Sequence, residues 1–161
     1  MAIAYHNKSK GYIAIMSFVL LACFYTFMGY YWPNMNWPDE IFQSVEQAHR
    51  LVFGNGLIPW EYRDGLRSYI FPGLLSVFVW LGQSFGTGSS GYHVAVITAL
   101  AITSLLPLWA LLTYKKWQPR EILIIIFSTG LWFELVYFST KASTEVFCGN
   151  IITKFDFVFV L

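Results

Sequence analysis

The feature that most limits how this chain can fold is a long apolar run near its N-terminus. Residues 11–32 contain no Asp, Glu, Lys, Arg or His, and about 20 consecutive apolar residues are enough to cross the core of a bilayer. The run is longer than the ~7–15 apolar residues of a signal peptide. It ends in Tyr30-Tyr31-Trp32 followed by Pro33, an aromatic belt and helix stop typical of a membrane interface. These residues are therefore predicted to form a transmembrane helix.

The composition extends this interpretation to the whole chain. Of its 161 residues, 57% are hydrophobic and only 12% are charged, against about 25% charged in an ordinary soluble domain. The net charge is +1 and no basic run exceeds two residues, which argues against a nucleic-acid partner. The sequence holds no Cys/His cluster with ligand spacing, so no metal site is predicted. The expected fold class is an all-α membrane protein.

Three further stretches are apolar enough to be considered as spans: 69–85, 93–114 and 122–140. If all of them crossed the membrane, the basic loop 115–120 would lie outside, although Lys and Arg prefer the cytoplasmic side. The clean apolar part of 69–85 is short and contains Pro72-Gly73, and runs of about 10–14 residues are more often interfacial. A bundle of three spans with extracytoplasmic interfacial helices is therefore predicted.

The predicted organisation alternates between the two sides of the membrane. Its segments are a cytoplasmic N-terminus (1–10), a first span (11–32), an extracytoplasmic loop (33–92) with amphipathic helices at 39–53 and 72–84, a second span (93–114), a basic cytoplasmic loop (115–121), a third span (122–140) and an extracytoplasmic segment (141–161) that is expected to be the start of a truncated element. This arrangement places Asp39, Glu40 and Glu145 on one face of the membrane.

The loop after the first span contains the densest group of charges. Apolar residues recur at helical spacing over 39–53, Asp39 can cap the helix, and Gly54 can end it. The polar face is expected to expose Asp39, Gln43 and Arg50, with Glu46 or Gln47. Spacing alone leaves two interpretations open: a reactive acidic end, or an ordinary helix start in which carboxylates favour the first turn.

A series of short motifs in this loop favours the first interpretation. In order, they are Trp37-Pro38-Asp39-Glu40, Phe42-Gln43, Glu46, Ala48-His49, Phe53-Gly54, Gly56, Trp60-Glu61 and Arg67-Ser68. Together they resemble the signature of glycosyltransferase family 22, the dolichyl-phosphate-mannose-dependent α-mannosyltransferases of N-glycan and GPI-anchor assembly and their bacterial relatives. Trp37 stands where the family usually has His. A weaker similarity covers residues 140–145.

The resemblance implies a multi-span helical bundle of the GT-C type and an inverting transfer of a sugar, expected to be mannose, from a polyprenyl phosphate to a glycan or glycolipid acceptor. It implies Asp39 as the general base and Glu40 as a residue that orients it or the acceptor. The candidates for contacts to the donor phosphate or the acceptor are Arg63, Arg67, Gln43, Glu46, Glu145 and Glu134. For Arg63, Arg67 and Glu145 an ordinary surface role stays open. Glu40 can alternatively be a charge at the helix start, and Glu134 can alternatively reach the interface or pair with another helix.

The expected partners are the lipid bilayer, the lipid-linked sugar donor and the acceptor, without a cofactor and without a divalent metal. The expected location is the endoplasmic reticulum membrane or a bacterial inner membrane, with the active face lumenal or periplasmic. Two alternatives are a truncated, inactive relative or other non-catalytic membrane protein, and a related enzyme that transfers aminoarabinose or another pentose. The isolated chain is expected to be of doubtful activity.

Overall fold

The computed structural model describes residues 2–32, 38, 40–85, 89–114 and 117–159. These residues form helices and contain no β-strand, which confirms the all-α prediction. The helices are α1 (Ala2–Tyr31), a π-helical segment (Glu40–Val45) continuous with α2 (Glu46–Phe53), α3 (Trp60–Arg63), α4 (Ile70–Gln83), α5 (Ser89–Ser104), α6 (Leu106–Tyr114), α7 (Pro119–Ile125) with a second π-helical segment (Ile126–Gly130), α8 (Phe133–Phe138) and α9 (Thr144–Phe159).

Two stretches of helix in the described part of the chain are long and apolar enough to cross a membrane. One is Gly11–Tyr31 within α1, and the other is Ser90–Leu112, which runs through α5 and α6. The lateral surface of α1 leaves Ile15, Val19 and Leu20 more than half exposed. Because monomeric soluble proteins rarely expose contiguous apolar surface of this kind, these faces are suited to lipid.

The 122–140 stretch, predicted as one helix, is divided in the structure. Helix α7 passes into the π-helical segment, and the chain then turns at Leu131 and is extended at Trp132 before α8 begins. The Ser128 and Thr129 hydroxyls both donate to the Ile125 carbonyl and so compete with the regular backbone bonds there. The Gly130 carbonyl, which lies at the end of the π-helical segment, accepts a 2.8 Å hydrogen bond from the Tyr25 hydroxyl of α1.

The described helices enclose two hydrophobic clusters, and α5 contributes to both. One cluster joins α1, α5, α6 and α7 with the π-helical segment that follows it, through Leu21, Tyr25, Ala101, Leu105, Leu112, Ile122 and Ile126. The other joins α2, α4, α5 and the loop before α9, through Ala48, Phe71, Leu75, Val79, Val96, Leu100 and Ala142. The second cluster therefore fixes the 40–53 segment against the chain near residue 142.

The helical segment 40–53 buries residues that the sequence analysis expected on an exposed polar face. Gln43 and Gln47 are both buried, and Gln47 is 0% exposed. The Gln47 amide donates to the carbonyls of Phe42 and Leu57, both at 2.9 Å, and the Gln43 amide donates to Glu61 at 3.0 Å. These hydrogen bonds satisfy amide N–H groups of the two buried side chains, whereas the Gln47 side-chain oxygen is buried and accepts no hydrogen bond from any residue that the structure describes. Phe42, one of the apolar residues that recur at helical spacing in this segment, is exposed.

The end of this segment agrees with the prediction made from glycine. Gly54 follows α2 in the left-handed conformation, with φ of 75°, and its N–H donates to the Arg50 carbonyl at 2.9 Å. Residues without a β-carbon adopt this conformation at little cost, so the helix ends where the sequence indicates.

Candidate active site

A buried loop of residues 139–142, between α8 and α9, is the centre of the candidate site. Ser139, Thr140, Lys141 and Ala142 are all buried, although loops usually lie at the surface. The Ser104 hydroxyl of α5 donates to the Ser139 carbonyl at 2.9 Å. Gly29 of α1 packs so closely on Thr140 that a β-carbon on Gly29 would lie 2.7 Å from the threonine oxygen. The loop is therefore held by two of the long helices.

The carboxylate of Glu40 supplies a third attachment. Its Oε1 accepts a 3.1 Å hydrogen bond from the Ala142 N–H, across 102 residues of sequence. Its Oε2 is buried and accepts no hydrogen bond from any residue that the structure describes. Glu40 begins a π-helical segment, a geometry that is frequent at functional sites. This contact joins the family-like motif to the chain a hundred residues later.

A cavity of about 320 Å³, here called the polar cavity, lies between the π-helical segment and the start of α9. Its lining carries both signs of charge. The lining residues are Glu40, Gln43, Ser44, Arg67, Phe138, Lys141, Ala142, Ser143, Thr144, Glu145 and Val146. Two cations, Arg67 and Lys141, thus lie in the same cavity as two carboxylates, which is suited to an anionic or polar ligand.

A second cavity, of about 420 Å³, shares one wall with the first and is here called the aromatic cavity. Glu40, Lys141 and Ala142 line both cavities. The other lining residues are Tyr30, Ile41, Val45, Glu46, His49, Ser90, Tyr92, His93, Val96, Ile97, Leu100 and Thr140. Polar groups interleaved with aromatic rings can bind the hydroxyls and the apolar faces of a sugar.

Lys141 is the most deeply buried cation among the side chains that the structure describes, with 9% of its surface exposed. Its ammonium lies 5.2 Å from the ring centroid of Tyr137, within range of a cation–π interaction. Lysine is rarely buried to this extent unless it is paired. Its position between the two cavities makes it available to a ligand in either.

Glu145 lies at the start of α9, on the open side of the polar cavity. The Ser143 hydroxyl donates to its Oε2 at 2.6 Å. This hydrogen bond is the largest cause that holds the pKa of Glu145 below its usual range, and the hydrogen bond of the Glu145 backbone N–H is the second. Burial opposes them, and the Arg67 guanidinium adds a smaller lowering effect. Glu145 therefore stays ionised opposite Arg67.

The short helix α3 is fastened to the π-helical segment beside this cavity. The Tyr62 hydroxyl donates to the Gln43 carbonyl at 2.6 Å, and burial raises the pKa of Tyr62. Together with the Gln43–Glu61 hydrogen bond, this contact fixes the chain that leads to Arg67. The arginine thus reaches the cavity from a braced loop.

The structure gathers half of the predicted site residues in the polar cavity and places the others elsewhere. Glu40, Gln43, Arg67 and Glu145 line it. Glu46 lines the aromatic cavity, and its Oε1 accepts a 2.9 Å hydrogen bond from the Leu57 N–H. Neither cavity is lined by Arg63, which is exposed at the end of α3, or by Glu134, whose Oε2 lies 3.3 Å from the Trp132 indole nitrogen. Asp39 lies outside the described residues.

Lys141 and His93 are not among the site residues predicted from the sequence, although both line the aromatic cavity. Lys141 falls in the 140–145 stretch that resembles the family. Its position there, as a charged residue directly after an apolar stretch, could have marked it as a candidate site residue. His93 offered no comparable signal, because a single histidine at the start of an apolar helix is common. Its place beside Glu40 and Lys141 depends on how α5 packs.

The described residues contain no group of three or more His, Cys, Asp or Glu side chains that could hold a metal ion. The expectation of a metal-independent reaction stays a prediction.

Comparisons with known proteins agree with the motifs in this site. The model of the Alg9-like mannosyltransferase family matches residues 17–154, a range that includes most of Gly11–Tyr31, all of Ser90–Leu112 and the residues that line both cavities. The chain belongs to this family, and its members are mannosyltransferases, which is the class of enzyme that the sequence indicates.

Individual relatives are more specific in name. The chain is 41% identical over 69 residues to GPI mannosyltransferase 3 of Trypanosoma brucei brucei, a match that covers 41% of this chain and 12% of that protein. It is 31% identical over 98 residues to GPI mannosyltransferase 3 of Drosophila melanogaster, a match that covers 60% of this chain and 17% of that protein. It is 46% identical over 46 residues to GPI alpha-1,2-mannosyltransferase 3 of Danio rerio, a match that covers 29% of this chain and 9% of that protein.

The chain thus spans less than a fifth of the length of these relatives. No solved structure matches it significantly.

Proposed function

We propose that the protein carrying this chain transfers mannose from a polyprenyl-phosphate carrier to a GPI-precursor glycolipid, in α-1,2 linkage. The observation that carries the proposal is the polar cavity, where the motif residues Glu40 and Gln43 meet Lys141 and Glu145 from a distant part of the chain. All four lie within the region that matches the mannosyltransferase family. The names of the relatives supply the acceptor and the linkage.

The proposed reaction is an inverting transfer in one step. An acceptor hydroxyl attacks C1 of mannose, the bond from C1 to the phosphate oxygen breaks, and the lipid phosphate leaves with the electron pair. The hydroxyl proton passes to a carboxylate, for which the family resemblance favours Asp39, the residue before Glu40 in the sequence. A positioned base is typically worth about 10²–10⁴-fold in rate, and Arg67 and Lys141 are suited to the charge that develops on the phosphate.

This mechanism requires the π-helical segment and the 139–145 chain to face the same side of the membrane. Among the described residues, Gly11–Tyr31 and Ser90–Leu112 are the two helices long and apolar enough to span. If both cross, the chain has to return between residue 112 and residue 139. Residues 119–138 rise about 1.5 Å each where they are helical and can bridge the ~30 Å hydrocarbon core. We therefore propose that the divided segment α7–α8 is the third crossing.

The proposed location is the endoplasmic reticulum membrane with the polar cavity on the lumenal side. The named relatives come from a trypanosome, a fly and a fish, and this favours the eukaryotic membrane over the bacterial one.

The test is mannose incorporation in cells that lack their own GPI mannosyltransferase 3. The protein carrying this chain is expressed in them, and radiolabelled mannose is followed into GPI precursors. We expect a new labelled glycolipid from which an α-1,2-specific mannosidase releases the label. A protein that reaches the membrane in folded form but adds no mannose to these precursors would contradict the proposal.

A further inference from the structure

We infer that Lys141 binds the phosphate that joins the sugar to its lipid carrier, and that Glu40 is a positioning residue that holds Lys141 in place. This inference rests on the proposed function, since it assigns the donor phosphate to one wall of the same site. It gives Glu40 a role different from that of orienting the base, and it assigns the cation to a residue outside the motif-rich loop.

Lys141 is buried, and its ammonium has few partners of its own in the described part of the chain. Its side chain is nine-tenths buried, and its ammonium lies over the face of the Tyr137 ring. No hydrogen bond or ion pair joins this ammonium to a carboxylate or carbonyl among the residues that the structure describes, so it is available to a ligand in the cavities that it lines. An anionic oxygen that enters the polar cavity would restore a charge-assisted hydrogen bond, which is stronger at such a site than at the surface.

Lys141 also lies between the two cavities. The polar cavity also contains Arg67, whereas the aromatic cavity contains tyrosines and histidines. A phosphate in the polar cavity would lie within reach of both cations, and a sugar attached to it could extend across the shared wall formed by Glu40, Lys141 and Ala142. When the C1–oxygen bond breaks, the phosphate gains a negative charge beside Lys141. The geometry therefore places a cation at the leaving group.

Lys141 lies in a loop that other segments hold in place. Ser104 bonds the Ser139 carbonyl, Gly29 packs on Thr140, and Glu40 bonds the Ala142 N–H. Thr140 and Ala142, which flank Lys141, are thus held by α1 and by the π-helical segment, respectively. The Glu40 attachment is a hydrogen bond to an oxygen, so glutamine can replace it and alanine cannot. If Glu40 acts by holding Lys141 in place, glutamine at position 40 should preserve phosphate binding and alanine should weaken it.

The experiment measures binding of dolichyl phosphate to the purified full protein that carries this chain, in detergent micelles. We expect Lys141→Met to weaken binding by about 10- to 100-fold, the loss of one charge-assisted hydrogen bond, and Lys141→Arg to retain most of it. Glu40→Ala should weaken dolichyl phosphate binding and Glu40→Gln should restore it. Arg120→Met, which removes an exposed cation of α7 that lines neither cavity, serves as the matched control and should bind normally.

A second arm distinguishes the two phosphates that the reaction brings to the membrane surface. Binding of phosphatidylinositol, which stands for the acceptor lipid, should be unchanged by Lys141→Met. The inference is overturned if dolichyl phosphate binds Lys141→Met as tightly as it binds the wild type, or if phosphatidylinositol is the lipid that loses affinity. It is equally overturned if Glu40→Gln binds dolichyl phosphate as poorly as Glu40→Ala.

Transfer activity separates this inference from the proposed function. A wild-type protein that binds dolichyl phosphate through Lys141 but moves no mannose would contradict the proposed function and leave the phosphate site intact. A protein that transfers mannose while Lys141→Met binds dolichyl phosphate normally would contradict the phosphate site alone. If Lys141→Met does not fold, the Glu40→Ala and Glu40→Gln pair still decides the inference.

Discussion

Glu145 shows how a single hydroxyl can shift the pKa of a carboxylate that lines the polar cavity. The Ser143 hydroxyl is the largest cause of its lowered pKa, followed by the backbone N–H of Glu145 itself. Since the folded-state pKa lies below the ordinary value, the ionised carboxylate contributes to stability above the ordinary pKa of a glutamate. That contribution is lost as the pH falls through the lowered pKa.

Replacing Ser143 tests this arrangement. We expect Ser143→Ala to raise the pKa of Glu145 toward the ordinary range, and the pH window in which the carboxylate protonates should move upward with it. The measurement is the carbon-13 shift of the Glu145 carboxyl against pH, assigned with Glu145→Gln. Ser128→Ala, which removes an exposed hydroxyl bonded to the Ile125 carbonyl, should leave this titration unchanged. An unmoved pKa in Ser143→Ala would contradict the assignment.

Two glutamines mark the limit of sequence reasoning at this scale. Periodicity placed Gln43 and Gln47 on a polar, exposed face, yet both are buried because Glu61, Phe42 and Leu57 accept their amide hydrogens. A helical pattern records polarity along one segment only. It cannot indicate that another segment will supply acceptors, and so it cannot distinguish a buried amide from a solvated one.

Among the elements, α4 and α5 are packed so closely that only glycine fits at their crossing. A β-carbon on Gly82 would lie against the Tyr92 Cα, 2.8 Å from the Ala95 Cβ and 2.9 Å from the Gly91 carbonyl oxygen. Two of these three atoms belong to the backbone and cannot rotate away. Small residues commonly allow close approach of helices in membrane proteins.

Gly82→Ala is therefore expected to force α4 away from α5 and to destabilise the protein by about 1–3 kcal/mol, the usual cost of an overpacked site. Gly73 lies in the same helix and has no atom within 4 Å of the place where a β-carbon would be. Gly73→Ala should be neutral or stabilise the helix by up to about 1 kcal/mol. The measurement is the unfolding midpoint of each variant in detergent. Equal effects of the two substitutions would refute this account of the crossing.

The division of the 122–140 stretch was beyond prediction for a similar reason. Hydropathy recorded an apolar run of sufficient length, whereas the break depends on two hydroxyls that compete for the Ile125 carbonyl. The break is also stabilised by Tyr25, which lies 105 residues from the Gly130 carbonyl that it bonds. Partners that distant in sequence leave no trace in a local pattern.

In the whole molecule, the sequence predicted the all-α class and the family, whereas the three-span bundle stays a prediction. The assembly of the site was predicted only in part, because the Glu40–Ala142 hydrogen bond connects residues 102 positions apart. The expectation that Glu40 and Glu145 share one face came from charge bias in the loops. The structure places both carboxylates in one cavity, whereas the contribution of Lys141 emerged only from its burial.

The proposed topology can be tested without measuring activity. Residues 33–92 are expected outside the cytoplasm, so a cysteine introduced at Ser89 should react with a membrane-impermeant reagent from the lumenal or outer side. The native Cys23 and Cys148 are both exposed and need to be replaced first. Reaction only from the cytoplasmic side would separate the motif loop from the 139–145 chain and contradict the three-crossing arrangement.

The rate of mannose transfer after Asp39→Asn tests whether these elements form the site of a mannosyltransferase. Asp64→Asn is the matched control, because Asp64 is an exposed carboxylate at the end of α3 that lines neither cavity. We expect the transfer rate to fall by about 10²-fold or more in Asp39→Asn, with normal expression, and to stay near normal in Asp64→Asn. A near-normal rate in the Asp39→Asn protein would contradict the proposed site.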